Sequence, residues 1–384
     1  MFLTSRVPFP LEKGDKLRAY HQMKTMSRRH DIYLISMGNA PISEEDQKEL
    51  LSFCKDVWVY ESNLLSRLLN LLVSWWSGFP FQVGYFFNAG ADLFIKEKIA
   101  LIQPDHLFVQ LVRMSEYVKD VDDIPKSLDY MDSFSTGMLR RKEKELSWRK
   151  FFFGWEHQRL AKYEGNIFRK FDHHFIISAQ DRSLMDFPEK DQIVIIPNGV
   201  DDQFFRPTAR KKTHELLFTG NMSYAPNVAA VKTIVKEILP LVWQKYPQCK
   251  LMIAGANPSA EVKALEEERV TVTGWLDDIR TAYEAGMICL APLDIGTGLQ
   301  NKLLEAMSME IPCITSSLTN NALGAKDGKE IIIADDAQAN AAAVIELLDH
   351  PQKRISFGKA GKDFVTSTYN WEAISLKLEQ AMGL

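Results

Sequence analysis

The chain has 384 residues, 46% hydrophobic and 25% charged, with 20 Gly and 16 Pro, a composition that argues against collagenous, low-complexity and disordered proteins. Its length predicts two domains, each able to bury its own core. With 46 Lys+Arg against 50 Asp+Glu there is no global positive field, which argues against a dedicated nucleic-acid binder.

From the N-terminus, short β-branched runs alternate with longer amphipathic stretches, the pattern of parallel strands joined by crossover helices. Strands are predicted at Phe2 to Thr4, Ile32 to Ser36, Val57 to Tyr60, Leu107 to Leu111, His174 to Ile177 and Ile193 to Ile196. The turn-forming Asn198-Gly199 and the polar, basic stretch Arg206 to His214 read as a linker. The alternation then restarts, with strands predicted at Leu216 to Thr219, Lys250 to Ala254, Val270 to Thr273, Ile288 to Ala291 and Cys313 to Ser316. Phe364 to Leu384 reads as one helix. The expected fold class is α/β, two Rossmann-like domains facing across a cleft, with domains at 1–205 and 206–366 and a C-terminal helix at 367–384 returning to the first.

Cys54, Cys249, Cys289 and Cys313 form no C-x-x-C pair, so neither a zinc knuckle nor a disulfide framework is expected, and a cytoplasmic location fits. The N-terminal apolar stretch is too short for a signal peptide, and no run reaches the roughly 20 apolar residues of a bilayer span. Charge is unevenly placed, with 27 Lys+Arg against 26 Asp+Glu up to residue 190 and 19 against 24 beyond it. Leu139 to Tyr163 holds eight basic residues against three acids, interleaved with Trp148, Phe151, Phe152, Phe153 and Trp155. Two readings stand: a peripheral contact with an anionic membrane, or a solvated helix whose aromatic residues pack on its own domain. His173 and His174 read as structural.

The segment most suggestive of chemistry is Ala291 to Met307. A strand ends at Pro292, a turn containing Gly296 and Gly298 follows, and a helix is predicted from near Leu299. Free backbone N–H groups at such a helix start suit a diphosphate. Lys302 adds a cation in the first turn, and Glu305, three residues on, could accept hydrogen bonds from a ribose diol. The competing reading makes Lys302 and Glu305 a surface ion pair.

These residues, followed by Ile311-Pro312-Cys313-Ile314-Thr315, resemble the donor-site signature of GT-B glycosyltransferases, specifically the retaining family 4 (group 1) and its exopolysaccharide and capsule sugar transferases. Ile195 to Asp201 resembles the family's interdomain segment, Leu217 to Met222 its first donor-domain strand and loop, and Thr273-Gly274-Trp275 the strand end near the base. Arg6 to Pro10 with Lys13 to His21 is similar to the family's first glycine loop. The likeness extends over essentially the whole chain.

The resemblance implies roles by position. Glu305 matches the second, ribose-holding acid of the family's E-x7-E element, and Thr297 stands where the first acid would be. The family's Arg and Lys after the first donor-domain strand are replaced by Asn221, Met222, Ser223, Tyr224 and Asn227, which leaves Lys302 as the cation for the leaving diphosphate. Gly14, Gly220, Asn221, Trp275, Leu276, Gly296, Gly298, Leu299, Lys302 and Glu305 are the expected donor contacts. The His that many relatives place near the sugar is missing, so Arg113 and Asp132 are expected to act there, with Thr297 and Lys302. Lys13, Asp15 and Asp129 are expected to meet the acceptor.

The implied reaction is hexosyl transfer from a UDP- or GDP-linked sugar to a hydroxyl of an undecaprenyl-linked saccharide acceptor, with retention at the anomeric carbon. No D-x-D element lies in the cleft segments, so neither an essential metal nor a cofactor is expected. Two alternatives remain at this stage: a nucleotide-sugar 2-epimerase of the same architecture, and a degenerate subunit that binds nucleotide without turnover.

Overall fold

A computed structural model describes residues 1–62, 70–72, 74–76, 78–144, 149–200, 212–294 and 299–384. The short apolar runs become the buried strands of two all-parallel sheets. In the first, β1 (Phe2–Thr4), β2 (Tyr33–Gly38), β3 (Asp56–Glu61), β4 (Leu107–Gln110), β5 (Lys126–Met131), β6 (His173–Ile176) and β7 (Val194–Ile195) lie in the order β3-β2-β1-β4-β5-β6-β7. In the second, β8 (His214–Thr219), β9 (Leu251–Ala254), β10 (Val270–Gly274), β11 (Gly286–Ala291), β12 (Cys313–Thr315) and β13 (Ile332–Ile333) lie in the order β10-β9-β8-β11-β12-β13. Each sheet runs outward from its first strand and then crosses back, so strand order reverses between β1 and β4 and between β8 and β11. Crevices open beyond the carboxyl ends of strands at such reversals.

Each sheet has its own core. Leu3, Ile35, Leu107, Val109, Leu128 and Ile176 centre the first, and Leu216, Phe218, Leu251, Ile253, Ile288 and Leu290 the second. Their strands are buried on both faces because helices cover them, which is why they read as continuous apolar runs.

The chain divides into one unit formed by Met1–Pro197 with Ile374–Leu384 and another formed by Asn198–Ala373. The sequence reading set these divisions at 205/206 and 366/367. Local bonding accounts for the difference: the Val200 N–H donates to the Tyr369 carbonyl at 2.8 Å, and Trp371 packs against Gly199, so both segments belong to the second unit. Arg29 donates two hydrogen bonds to Glu379, at 2.8 and 2.9 Å, tying the last helix into the first unit.

Three expectations are corrected. Strand β5 was not foreseen, because Lys126 and Asp129 interrupt its apolar pattern; both are buried, and Lys126 Nζ donates to the Lys119 carbonyl at 3.1 Å. The two-residue β13 was also missed. The single helix expected over 364–384 is two, Pro351–Thr368 and Trp371–Met382. Asn370 Oδ1 accepts from the Glu372 N–H at 2.7 Å, as an N-cap does, and restarts the helix there. His174 is held structurally, its Nε2 bonded to the Phe168 carbonyl at 2.7 Å.

Candidate functional site

In the second unit the helix Asn301–Ser308 follows β11 and buries Leu303, Leu304, Ala306 and Met307 against the sheet. The i, i+3 spacing carries Lys302 and Glu305 on a neighbouring face. They do not form the surface ion pair. Lys302 is buried, at 8% exposure; its Nζ donates to Asn227 Oδ1 at 2.6 Å and lies 4.1 Å from the centre of the Phe218 ring. Burial lowers its pKa to about 8, because an ammonium ion gives up much hydration for one amide oxygen and a ring face.

Glu305 is partly exposed and its Oε2 accepts from the Tyr283 hydroxyl at 2.7 Å. Thr219 Oγ1, at the end of β8, lies 2.7 Å from the same hydroxyl. Desolvation raises the Glu305 carboxyl to about 7, although the Tyr283 bond and the Lys302 charge pull the other way. An acid and a base are thus held one helical turn apart, with their pKa values drawn toward neutrality, where the strand order reverses. Such perturbed pairs mark functional sites.

Close backbone approach shapes the same place. Gly220, at φ 149°, leaves room that a Cβ would close: it would lie 2.7 Å from Asn227 Nδ2 and 3.3 Å from Lys302 Nζ. A Cβ on Gly255 would fall 1.9 Å from the Gly220 carbonyl oxygen. Asn221 is exposed, and its Oδ1 accepts from the Ser223 N–H and hydroxyl. Trp275, just beyond β10, is 62% exposed and its Nε1 donates to Asp277 at 3.3 Å. Leu276 and Leu299 are partly buried against this unit's core. Gly296, Thr297 and Gly298 lie outside the described residues.

The first unit gathers a second group beyond β1, β4 and β5. Asp15, in the first turn of the helix Gly14–Met26, pairs with Arg6, and its carbonyl accepts from Gln110 Nε2 at 2.8 Å. Arg113 lies between the rings of Phe86 and Phe134, at 4.8 and 4.6 Å, and donates to Gln82 Oε1 at 2.8 Å. Burial first, then the charges of Arg6 and Arg141, lower its pKa to about 10, while Asp15 and Asp132 oppose them. Arg113 therefore remains a cation at neutral pH. Asp132 is exposed beyond β5, following Met131 at φ 63°.

An open cavity of about 460 Å3 adjoins this group, lined among others by Arg6, Phe9, Lys13, Lys16, Tyr85 and Phe86. Lys13 is exposed. Gly14 is not demanded by packing, since an added Cβ would meet nothing within 4 Å.

Asp129 is a correction. Its side chain is 0% exposed, paired with the equally buried Arg18 at 2.6 Å, and it accepts from the Met131 N–H at 3.1 Å. Buried and engaged in this way, it is a structural group rather than the expected acceptor contact. Sequence reasoning also missed Tyr283, Phe218 and Gln82 as partners of the site. Tyr283 reads as core in Arg280–Ala285, with no local signal that its hydroxyl reaches Glu305. Among the described residues no group of three or more His, Cys, Asp or Glu converges as a metal set.

Residues 213–350 match the family model described as glycosyl transferases group 1. Over 351 residues the chain is 22% identical to an uncharacterized 44.6 kDa protein in the cps region of Klebsiella pneumoniae, covering 86% of this chain and 85% of that one. Over 208 residues it is 24% identical to a GDP-mannose-dependent alpha-(1-6)-phosphatidylinositol monomannoside mannosyltransferase of Mycobacterium tuberculosis, covering 48% and 54%. Among solved structures, Anabaena HepE in complex with UDP superposes with a TM-score of 0.70 at 12% identity, covering 100% of this chain and 98% of that one.

Proposed function

We propose that this chain, a group 1 glycosyltransferase of GT-B fold, transfers a sugar from a nucleoside diphosphate sugar to a hydroxyl of a lipid-linked saccharide acceptor in cell-surface polysaccharide assembly, with retention at the anomeric carbon. The observation that carries the reading is Lys302: a buried ammonium that donates to Asn227 Oδ1 and, among the described residues, sits in no carboxylate salt bridge, one turn from Glu305. A desolvated cation of this kind calls for an anion, and a leaving diphosphate supplies one.

In this reading the second unit holds the donor. Lys302 and the N–H groups opening the helix Asn301–Ser308 stabilise the charge that develops on the diphosphate, more strongly than they would in water because the site is desolvated. Glu305 accepts from the ribose hydroxyls, and the exposed Trp275 ring offers a face beside the base.

The first unit presents the acceptor. Asp132 accepts from an acceptor hydroxyl beside the attacking one, and Arg6, Lys13 and Arg113 supply positive charge around it. The C1–O bond to the diphosphate breaks through an oxocarbenium-like transition state. The acceptor oxygen bonds to C1 on the same face, and its proton passes to the leaving phosphate oxygen, with no protein nucleophile. The transfer requires no metal.

Both UDP and GDP are tested, since UDP is named for the Anabaena structure and GDP-mannose for the mycobacterial relative. Calorimetry with UDP, GDP, ADP and CMP, with and without EDTA, is expected to show one nucleotide binding, insensitive to EDTA and lost in Glu305→Ala. Failure of every nucleotide to bind the folded chain overturns the reading. Binding without transfer points to the degenerate subunit. An inverted anomeric coupling in the product's proton NMR spectrum refutes retention.

A further inference from the structure

We propose that Leu72, Trp75 and Trp76, with the start of the helix Arg149–Phe168, form a docking surface for an anionic phospholipid bilayer. Four large apolar side chains stand in water here: Leu72 at 69% exposure, Trp75 at 59%, Trp76 at 92% and Phe151 at 83%. Patches of this kind on a folded unit mark interaction surfaces.

The rings beneath them are built in. Trp75 meets Trp155 edge-on at 5.1 Å, Phe81 stacks on Phe152 at 5.3 Å, and the Arg159 guanidinium lies over Trp155 at 4.2 Å. Arg159 also donates to the carbonyls of Ser74, Gly78 and Phe79, and Glu156 Oε1 accepts from the Gln82 N–H at 3.1 Å. These contacts clamp Trp75 and Phe81 onto the long helix, while Trp76 and Phe151 stand exposed beside them.

Among the described residues the exposed charges at this helix start are cations. Arg141, Arg149 and Lys150 are exposed, and the Lys142 stem runs along the helix beside Gly154. Glu156, the acid at this end of the helix, is buried and turned toward Gln82. Trp and Phe flanked by Lys and Arg are what a headgroup layer of negative phosphates accommodates: the rings enter the acyl boundary and the cations stay at the phosphates. Among the described residues no helix is long and apolar enough to cross a membrane, so the contact proposed is in the plane of the surface.

The test uses the full chain without donor or acceptor, so its failure leaves the transfer reading untouched. Sedimentation with vesicles of phosphatidylcholine and phosphatidylglycerol is expected to show binding at low salt that falls as salt rises, together with a blue shift of tryptophan emission. Trp76→Ser with Phe151→Ser is expected to weaken partition about tenfold or more, and Lys150→Ser about fivefold. Both aromatic positions are exposed, and an unchanged melting curve checks the fold of the double variant. The absence of both vesicle binding and the blue shift in the wild type overturns the proposal, as does equal, salt-insensitive binding to phosphatidylcholine alone. Equal binding by the double variant removes the assignment to this surface. A concentration-dependent dimer abolished by the same two substitutions assigns the surface to a second copy of the chain and overturns the lipid reading.

Discussion

Replacing Glu305 by glutamine separates what this carboxyl does for stability from its proposed role in donor binding. Its pKa rises from 4.5 to about 7 on folding. At about 1.36 kcal/mol per unit the ionised form is disfavoured by about 3 kcal/mol, and the partly exposed edge of the carboxyl brings this to about 2 kcal/mol once solvent screening is allowed for. Between these pH values the unfolded chain has lost the proton while the native chain keeps it. Wild-type stability therefore falls as pH rises through this window, and the full penalty persists above it.

Glutamine retains an oxygen for the Tyr283 hydroxyl and carries no charge. Urea unfolding at both ends of the window, with the second unit's transition identified by its shift with nucleotide in the wild type, is expected to show Glu305→Gln near wild type at the acid end. At pH about 8 the variant is expected to be more stable by about 2 kcal/mol, while nucleotide affinity drops about tenfold or more through loss of a charged acceptor. A variant less stable than wild type at the alkaline end, or a difference that does not change with pH, would refute the reasoning.

Donor affinity is expected to be bell-shaped in pH, highest between about 7, where Glu305 ionises, and about 8, where Lys302 loses its proton; calorimetry giving a flat profile across that range rules out the pair as binding groups. Asp129→Asn leaves the fully buried Arg18 without its counter-charge and is expected to destabilise the first unit by about 3 to 5 kcal/mol in urea unfolding, with nucleotide affinity unchanged. A raised acceptor KM with no loss of stability would return Asp129 to the acceptor site. Truncation after Ala373 removes Glu379 and the segment that belongs to the first unit, and is expected to lower that unit's melting temperature; an unchanged melt contradicts the docking of the last helix. Gly255→Ala forces a Cβ against the Gly220 carbonyl and is expected to destabilise the second unit by more than about 2 kcal/mol, measured by the same unfolding assay.

Most of the strands and the restart of the alternation were legible from residue order, because a strand buried on both faces must be apolar along its length, as in Leu216 to Phe218 and Ile288 to Ala291. Lys302 and Glu305 stood out for the same local reason: charged residues beside a glycine-containing turn at a helix start. Strand β5 escaped because its buried charges find partners that the strand's own pattern does not show: Lys126 the carbonyls of the segment just before it, and Asp129 Arg18, 111 residues away. The state of the Lys302 and Glu305 pair was likewise decided only by tertiary structure. Asn227, 75 residues from Lys302, holds the ammonium, and Tyr283, 22 residues from Glu305, holds the carboxyl. Periodicity records which side of one element meets the core, whereas a buried polar group is stabilised by whatever the fold brings against it, and no pattern along the chain encodes that partner.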